Sequence, residues 1–133
     1  MDGNAIVGAL LTTDAPLNAV VPSDRIRAAK LPDGIALPAL LVRTISVTER
    51  QPLRKGARTR TVARVSVTVR ATNYAEQIAV LKLVRARLRG WVGAIAGVTD
   101  VSIQTAGTGP DVLGPGESFE QAQDFRVSFD APT

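Results

Sequence analysis

Between residues 59 and 70 the sequence alternates, and a few residues later it drops the alternation for a helical repeat. Thr61, Ala63, Val65, Val67 and Val69 fall on one side of an extended chain, and Val62, Arg64, Ser66, Thr68 and Arg70 on the other. A period of two with this split predicts a strand with one face in a core and the other in water or an interface. Asn73 is then placed to cap a helix running from about Tyr74 to Arg89. In it Tyr74, Ile78, Leu81, Val84 and Leu88 recur at three- and four-residue steps, one apolar stripe. Lys82, Arg85, Arg87 and Arg89 crowd its second half, where cations meet the negative end of the helix, and Gly90 stops it. A one-faced strand leading into a one-striped helix leaves few solutions: the helix must lie back on a sheet.

The rest of the chain supplies the other elements. Residues 4–12 predict a short helix with Asn4 as its cap, and Asp14-Ala15-Pro16 opens a second helical turn that Pro22 ends. Residues 25–27 read as a short extended piece, and residues 30–38, with two prolines and Asp33-Gly34, as loop. The β-branched residues Val42, Thr44, Ile45, Val47 and Thr48 predict a strand over residues 40–50. Residues 51–58, with Pro52 and Gly56, are its hairpin loop. Strands follow at residues 98–104 and 119–130, the last with Phe125, Val127 and Phe129 on one face. Residues 105–117 hold four glycines and two prolines and are expected to be loop. The order predicts an α+β fold: a mostly antiparallel twisted sheet with helices packed on one face, as a single domain over residues 1–133.

Composition narrows the chemistry. The chain has no His and no Cys. A Ser-His-Asp or Cys-His nucleophile, a zinc finger, an iron–sulfur cluster and a disulfide are therefore all impossible within it. No apolar stretch approaches the length of a membrane span, no signal peptide pattern opens the chain, and the expectation is a soluble protein made in the cytoplasm. Charge is segregated: residues 1–49 carry net −1, residues 50–99 net +10, and residues 100–133 net −5. Either the basic middle and acidic end pair within one fold, or they form two unlike faces suited to head-to-tail packing or to nucleic acid.

Few motifs could carry catalysis. Gly107-Thr-Gly109-Pro-Asp111 lacks the Gly-Lys-Ser/Thr of a phosphate loop and the third glycine of a dinucleotide fingerprint. Glu117, Glu120, Asp124 and Asp130 sit at solvent-face strand spacing and read as solvated or interface charges. Trp91, just after the helix, reads as a core or interface plug. The sharpest local feature is basic: Arg50, Arg54, Lys55, Arg58, Arg60 and Arg64 lie within fifteen residues with no acid between them. Such a cluster neutralises phosphates in nucleic-acid binders, but single-strand binders interleave stacking aromatics, and this segment has none. A protruding arm that docks on an acidic neighbour fits better.

A resemblance runs through the whole chain. Asp14-Ala-Pro-Leu17, Arg25-Ile26 and Leu37-Pro38-Ala-Leu-Leu-Val42 lead to Val65-Ser-Val-Thr-Val-Arg-Ala-Thr-Asn-Tyr74-Ala-Glu-Gln and Leu83-Val-Arg-Ala-Arg-Leu88. Gly109-Pro110-Asp111 and Gln123-Asp124-Phe125-Arg126-Val127 follow. This order resembles the small tail-completion, or tail-terminator, proteins of long-tailed bacteriophages and phage-like particles. The resemblance implies a structural virion protein, not an enzyme, with no cofactor. It implies a ring, usually six-fold, on the head-proximal end of the tail tube. That ring ends tube polymerisation and offers a surface for head–tail joining. The implied partners are further copies of the chain, the tail tube protein, a head-side neck protein and the DNA passing through the lumen. No membrane is involved; the place is the virion, after assembly in the host cytoplasm. The candidate contact or lumen residues are Arg50, Arg54, Lys55, Arg58, Arg60 and Arg64, with a second contact loop at Gly107, Gly109, Asp111 and Glu117. The competing readings are a stopper, adaptor or tube-like subunit and a small nucleic-acid-binding protein.

Overall fold

The computed structural model describes residues 2–50, 53, 56 and 58–132. The helices are α1 (Gly3–Thr12), α2 (Ala15–Asn18) and α3 (Tyr74–Leu88). The strands are β1 (Ile26–Ala28), β2 (Ala39–Arg50), β3 (Arg58–Ala71), β4 (Val92–Ile95), β5 (Val98–Thr108), β6 (Val112–Leu113) and β7 (Phe119–Pro132). They form one sheet in the order β1-β2-β3-β7-β5-β4, with β6 on β7 beyond the end of β5. All pairings are antiparallel except β1 on β2. The expected α+β class with a mostly antiparallel sheet is what the chain adopts.

The centre of the sheet is the β3–β7 ladder, in unbroken register from Arg58 opposite Pro132 to Ala71 opposite Phe119. The alternation read from β3 is the one observed. Thr61, Ala63, Val65, Val67 and Val69 are buried, as are Phe125, Val127 and Phe129 beside them on β7. α1 and α3 pack over this face, with Ile6, Val7, Leu10 and Leu11 from α1 and Val80, Leu81, Val84 and Leu88 from α3 in one continuous core. Phe125, fully buried, anchors it. The opposite face of the sheet carries no helix and is polar, with Ser46, Thr48, Arg60, Arg64, Asp124, Arg126, Ser128 and Asp130.

Three expectations are corrected, and one strand is new. The cap of α1 is Asp2, whose carboxylate accepts from the Ala5 amide at 2.9 Å, and not Asn4. Asn4 lies inside the helix and accepts from the Thr44 hydroxyl at 2.8 Å. The helix begins earlier because Gly3 lets it close on β3: a Cβ there would lie 2.9 Å from Ala63 Cβ and Val65 Cγ2. The stripe of α3 is rotated. Gln77 and Val80 join Leu81, Val84 and Leu88 in the core, while Tyr74 is 49% exposed and Ile78 only half-buried. Gln77 can replace an apolar residue there because its amide donates to neighbours that the sequence does not identify. Residues 92–95 form an edge strand, and residues 105–117 are structured: β5 runs on to Thr108, β6 follows, and Pro115–Glu117 make a 3-10 turn.

Candidate interaction surfaces

The basic arm begins where β1 stops. β1 pairs only with Leu40, Leu41 and Val42, so among the described residues β2 from Arg43 to Arg50 has no strand on its outer edge. Every residue from Arg43 to Arg50 is exposed, whereas β3 opposite stays largely covered by β7 and the helices. A break in register between Thr44 and Ser46 leaves Ile45 53% exposed, and Val47 is 54% exposed. Leu53, beyond the end of β2, is fully exposed. The arm thus combines three solvent-facing apolar side chains with a run of cations, a combination that a solvated loop does not require.

The six basic candidates do not share one environment. Arg50 is exposed at the end of β2, opposite Arg60. Arg54 and Lys55 lie outside the described residues. Arg58 donates to the Thr99 hydroxyl at 2.6 Å. Arg60 donates to the Asp100 carbonyl at 2.7 Å and to Asp130 at 3.2 Å. Arg64 donates to Asp124 at 2.8 Å and to the Ala106 carbonyl at 2.8 Å. A further pair, Arg70–Glu120 at 2.7 Å, continues the series down the ladder. The basic middle and acidic end of the sequence therefore meet strand against strand on the polar face of the sheet. These pairs are partly exposed, so each is worth about 0–1 kcal/mol, and their role is to cancel charge more than to hold the fold.

The second loop is pinned at several points. Gly107, in the positive-φ region at +117°, presents its carbonyl to the Gln123 amide at 2.9 Å. Gly109 donates its N–H to the Ala122 carbonyl at 2.7 Å and accepts from the Gln121 amide at 2.9 Å. Gly114 lies so close to the Glu120 carboxylate and Ser118 hydroxyl that a Cβ has no room there. Asp111 ties the loop to α3: it accepts from the Tyr74 hydroxyl at 3.2 Å and from Gln77 Nε2 at 2.8 Å. Gln77 Nε2 also reaches Gln121 Oε1 at 3.2 Å, while its Oε1 is buried without a partner. The hydrogen bond to Asp111, then its negative charge, then slight desolvation hold the Tyr74 phenol above its ordinary pKa of 10.0. Glu117 is exposed in its turn.

Near this latch three apolar side chains that the sequence reading passed over are exposed, Val112 on the face of Glu120 and Leu113 on that of Phe119. Tyr74, Val112 and Leu113 are 49%, 48% and 72% exposed. Val112-Leu113 is an apolar pair in a glycine-rich run, which was the available signal. Gln77 and Gln121 carried none, because a glutamine gives no indication of which backbone or carboxylate it will meet. Among the described residues no group of three acidic side chains is placed to hold a metal ion.

Residues 5–130 match the family model of the tail completion protein gp17. No curated protein matches the sequence significantly. Among solved structures, a chain of the "Virion of native gene transfer agent (GTA) particle" has a similar fold, with a TM-score of 0.70 at 17% identity. The alignment covers 97% of this chain and 95% of that chain.

Proposed function

The chain belongs to the tail completion protein gp17 family, and on that premise we propose that residues 1–133 act as one tail-terminator domain of a phage-like particle. Copies form a ring, six-fold by family resemblance, on the head-proximal end of the tail tube. The ring stops tube polymerisation, presents a surface to the head-side neck protein and leaves a lumen for DNA. The role is structural, in the virion, without catalysis. The observation that carries this reading is the family match over residues 5–130.

Closing a ring requires two different surfaces on each subunit that meet by rotation. The arm around Arg50, Arg54, Lys55 and Arg58 is one contact candidate, and the loop with Gly107, Gly109, Asp111 and Glu117 is the other. Arg60 and Arg64 already face Asp130 and Asp124, so their part in a contact or at the lumen is smaller. Electron microscopy of particles made without this gene tests the proposal. Separate DNA-filled heads and tails of abnormal length are the expected result. Tails of normal length that fail to join heads would move the protein to the neck as a stopper or adaptor. Intact working particles would remove the structural role.

A further inference from the structure

The polar face of the sheet sets two arginines together where the fold does not need them. Across four neighbouring strands, one row runs Ser46 on β2, Arg64 on β3, Arg126 on β7 and Gln104 on β5. Arg64 and Arg126 are direct cross-strand partners. Like charges set opposite each other in this way are destabilising, because their Cβ atoms lie only about 4.5–5.5 Å apart. The next row of the same face holds Thr48, Val62 and Ser128. A depression of about 200 Å³ lies here, lined by Ser46, Thr48, Val62, Arg64, Ala106 and Arg126. None of these lining residues is a carboxylate.

The two cations differ in how they are held. Arg64 is fixed. Its Nε donates to Asp124 at 2.8 Å and its Nη2 to the Ala106 carbonyl at 2.8 Å, which leaves Nη1 without a hydrogen-bond partner among the described residues. Arg126 is exposed and has neither an ion pair nor a side-chain hydrogen bond among the described residues. Asp124 balances one of the two charges, and the other is uncancelled. Arg43, exposed on β2 opposite Ser66, adds a further cation beside the site.

One fixed guanidinium, one free guanidinium and two hydroxyls suit an oxyanion with several acceptor oxygens. A guanidinium presents its N–H donors in a fork that matches phosphate oxygens, and hydroxyls add further donors. Arg64 is already ordered by Asp124 and Ala106, so binding costs less there. No aromatic side chain lines the depression to stack on a base, so it recognises the anionic group and not what the group is attached to.

We propose that Arg64 and Arg126, with the Ser46 and Thr48 hydroxyls, form a phosphate-binding site on the open face of the sheet. The ligand is a phosphate group, as the inorganic ion or as one phosphodiester of a nucleic-acid backbone. Arg126 supplies the uncancelled charge, and the bound phosphate relieves the repulsion between the two arginines. The site is complete in a single copy of the chain, so it stands apart from the ring reading above.

The test uses the full chain in solution. At matched ionic strength inorganic phosphate should raise the Tm above its value in chloride, and the phosphorus NMR line of phosphate should broaden when the protein is added. Arg126→Gln should keep a Tm in chloride no lower than the native chain, because it removes a like-charge opposition. It should weaken phosphate binding by about tenfold or more. Lys82→Gln removes the same charge from an exposed position on α3, across the sheet, and should bind phosphate as the native chain does. Equal losses in the two variants would mean attraction by net charge alone and would overturn the site, as would identical Tm values in phosphate and chloride. Short single-stranded and duplex DNA separate the two sources. Displacement of phosphate by DNA from the native chain identifies the phosphodiester as the ligand, and phosphate binding that neither DNA disturbs identifies the free ion. DNA binding that Arg126→Gln leaves unchanged, without phosphate binding, would overturn the proposal.

Discussion

Replacing Asp111 with alanine should destabilise the chain as much as a moderate core substitution, although Asp111 is exposed. An exposed residue in a glycine-rich loop would ordinarily change stability by no more than about 0.5 kcal/mol. The structure gives a larger number. Gln77 is fully buried, and its Nε2 donates to Asp111 at 2.8 Å and to Gln121 at the longer 3.2 Å. Removing the carboxylate breaks a hydrogen bond to a charged group and leaves a buried donor under-satisfied, a loss of about 1.5–3 kcal/mol. The bond from the Tyr74 hydroxyl adds little, because that hydroxyl turns to water instead. A loss of about 2 kcal/mol corresponds to a fall in Tm of about 6–10 °C for a chain of this size. Asp111→Asn keeps an acceptor for Gln77 and gives up only the charge, so it should lose about half as much. Urea unfolding monitored by the fluorescence of Trp91 measures the difference. Amide hydrogen exchange should show residues 105–117 opening in Asp111→Ala while β3 and β7 stay protected. Asp111→Ala within about 0.5 kcal/mol of the native chain, with unchanged exchange in the loop, would refute the latch.

Further outcomes are checked on the same protein. Tyr74 is the one tyrosine, so its ultraviolet titration is unambiguous; Asp111→Asn should lower its pKa toward the ordinary value. Because the folded pKa is raised, this part of the latch is fully present below pH 10.0 and is lost as pH rises through the folded value, so loop exchange should increase there. Gly3→Ala should destabilise by about 1–3 kcal/mol, since its Cβ would press on Ala63 and Val65. Gly8→Ala, where a Cβ meets nothing, should stabilise α1 by about 0.5–1 kcal/mol in the same urea experiment. Phe125→Ala should cost about 3–5 kcal/mol, because it empties the middle of the core.

What could be read from the sequence depended on whether the cause was local. The β3 alternation, the Asn73 cap and the Gly90 stop come from a residue and its near neighbours, and all three stand in the structure. The Asp14 cap with Pro16 stands too, with the Leu17 amide bonded to Asp14 at 3.2 Å. Asn4 was a plausible cap by type, but the start of α1 is set by how closely Gly3 approaches β3, a contact across 60 residues. The stripe of α3 was misplaced because apolarity alone was counted; Gln77 is buried through partners at Asp111 and Gln121, 34 and 44 residues away. Residues 105–117 looked like loop because glycine and proline weaken strands. Their order comes instead from the Gln121, Gln123 and Tyr74 side chains, which composition does not reveal. The candidate contact residues were legible as a basic cluster, but the division between Arg60 and Arg64, neutralised by β7, and Arg50, left open, appears only once strand order is known.

Strand order also changes what the segregated charge means. Along the chain the basic middle and acidic end suggest two opposed faces, yet β3 and β7 are neighbours over their whole length, so Arg60, Arg64 and Arg70 meet Asp130, Asp124 and Glu120. The charge left near the ladder's ends is net basic on the arm side and acidic at the latched loop, while Arg126 in the middle of β7 and Arg43 on β2 stay exposed with no ion pair among the described residues. Pairing thus leaves a difference in charge between the two ends of the ladder beside these isolated cations. Added salt should therefore separate folding from assembly. The fold rests on the apolar core and on pairs worth about 0–1 kcal/mol each, so its urea midpoint should move little. A contact between exposed opposite charges is screened within about 8 Å at physiological ionic strength and less above it, so retention of this chain on tails should fall steeply as salt rises. A midpoint that falls in step with retention would mean that the β3–β7 pairs carry both, and the end-to-end account would be wrong.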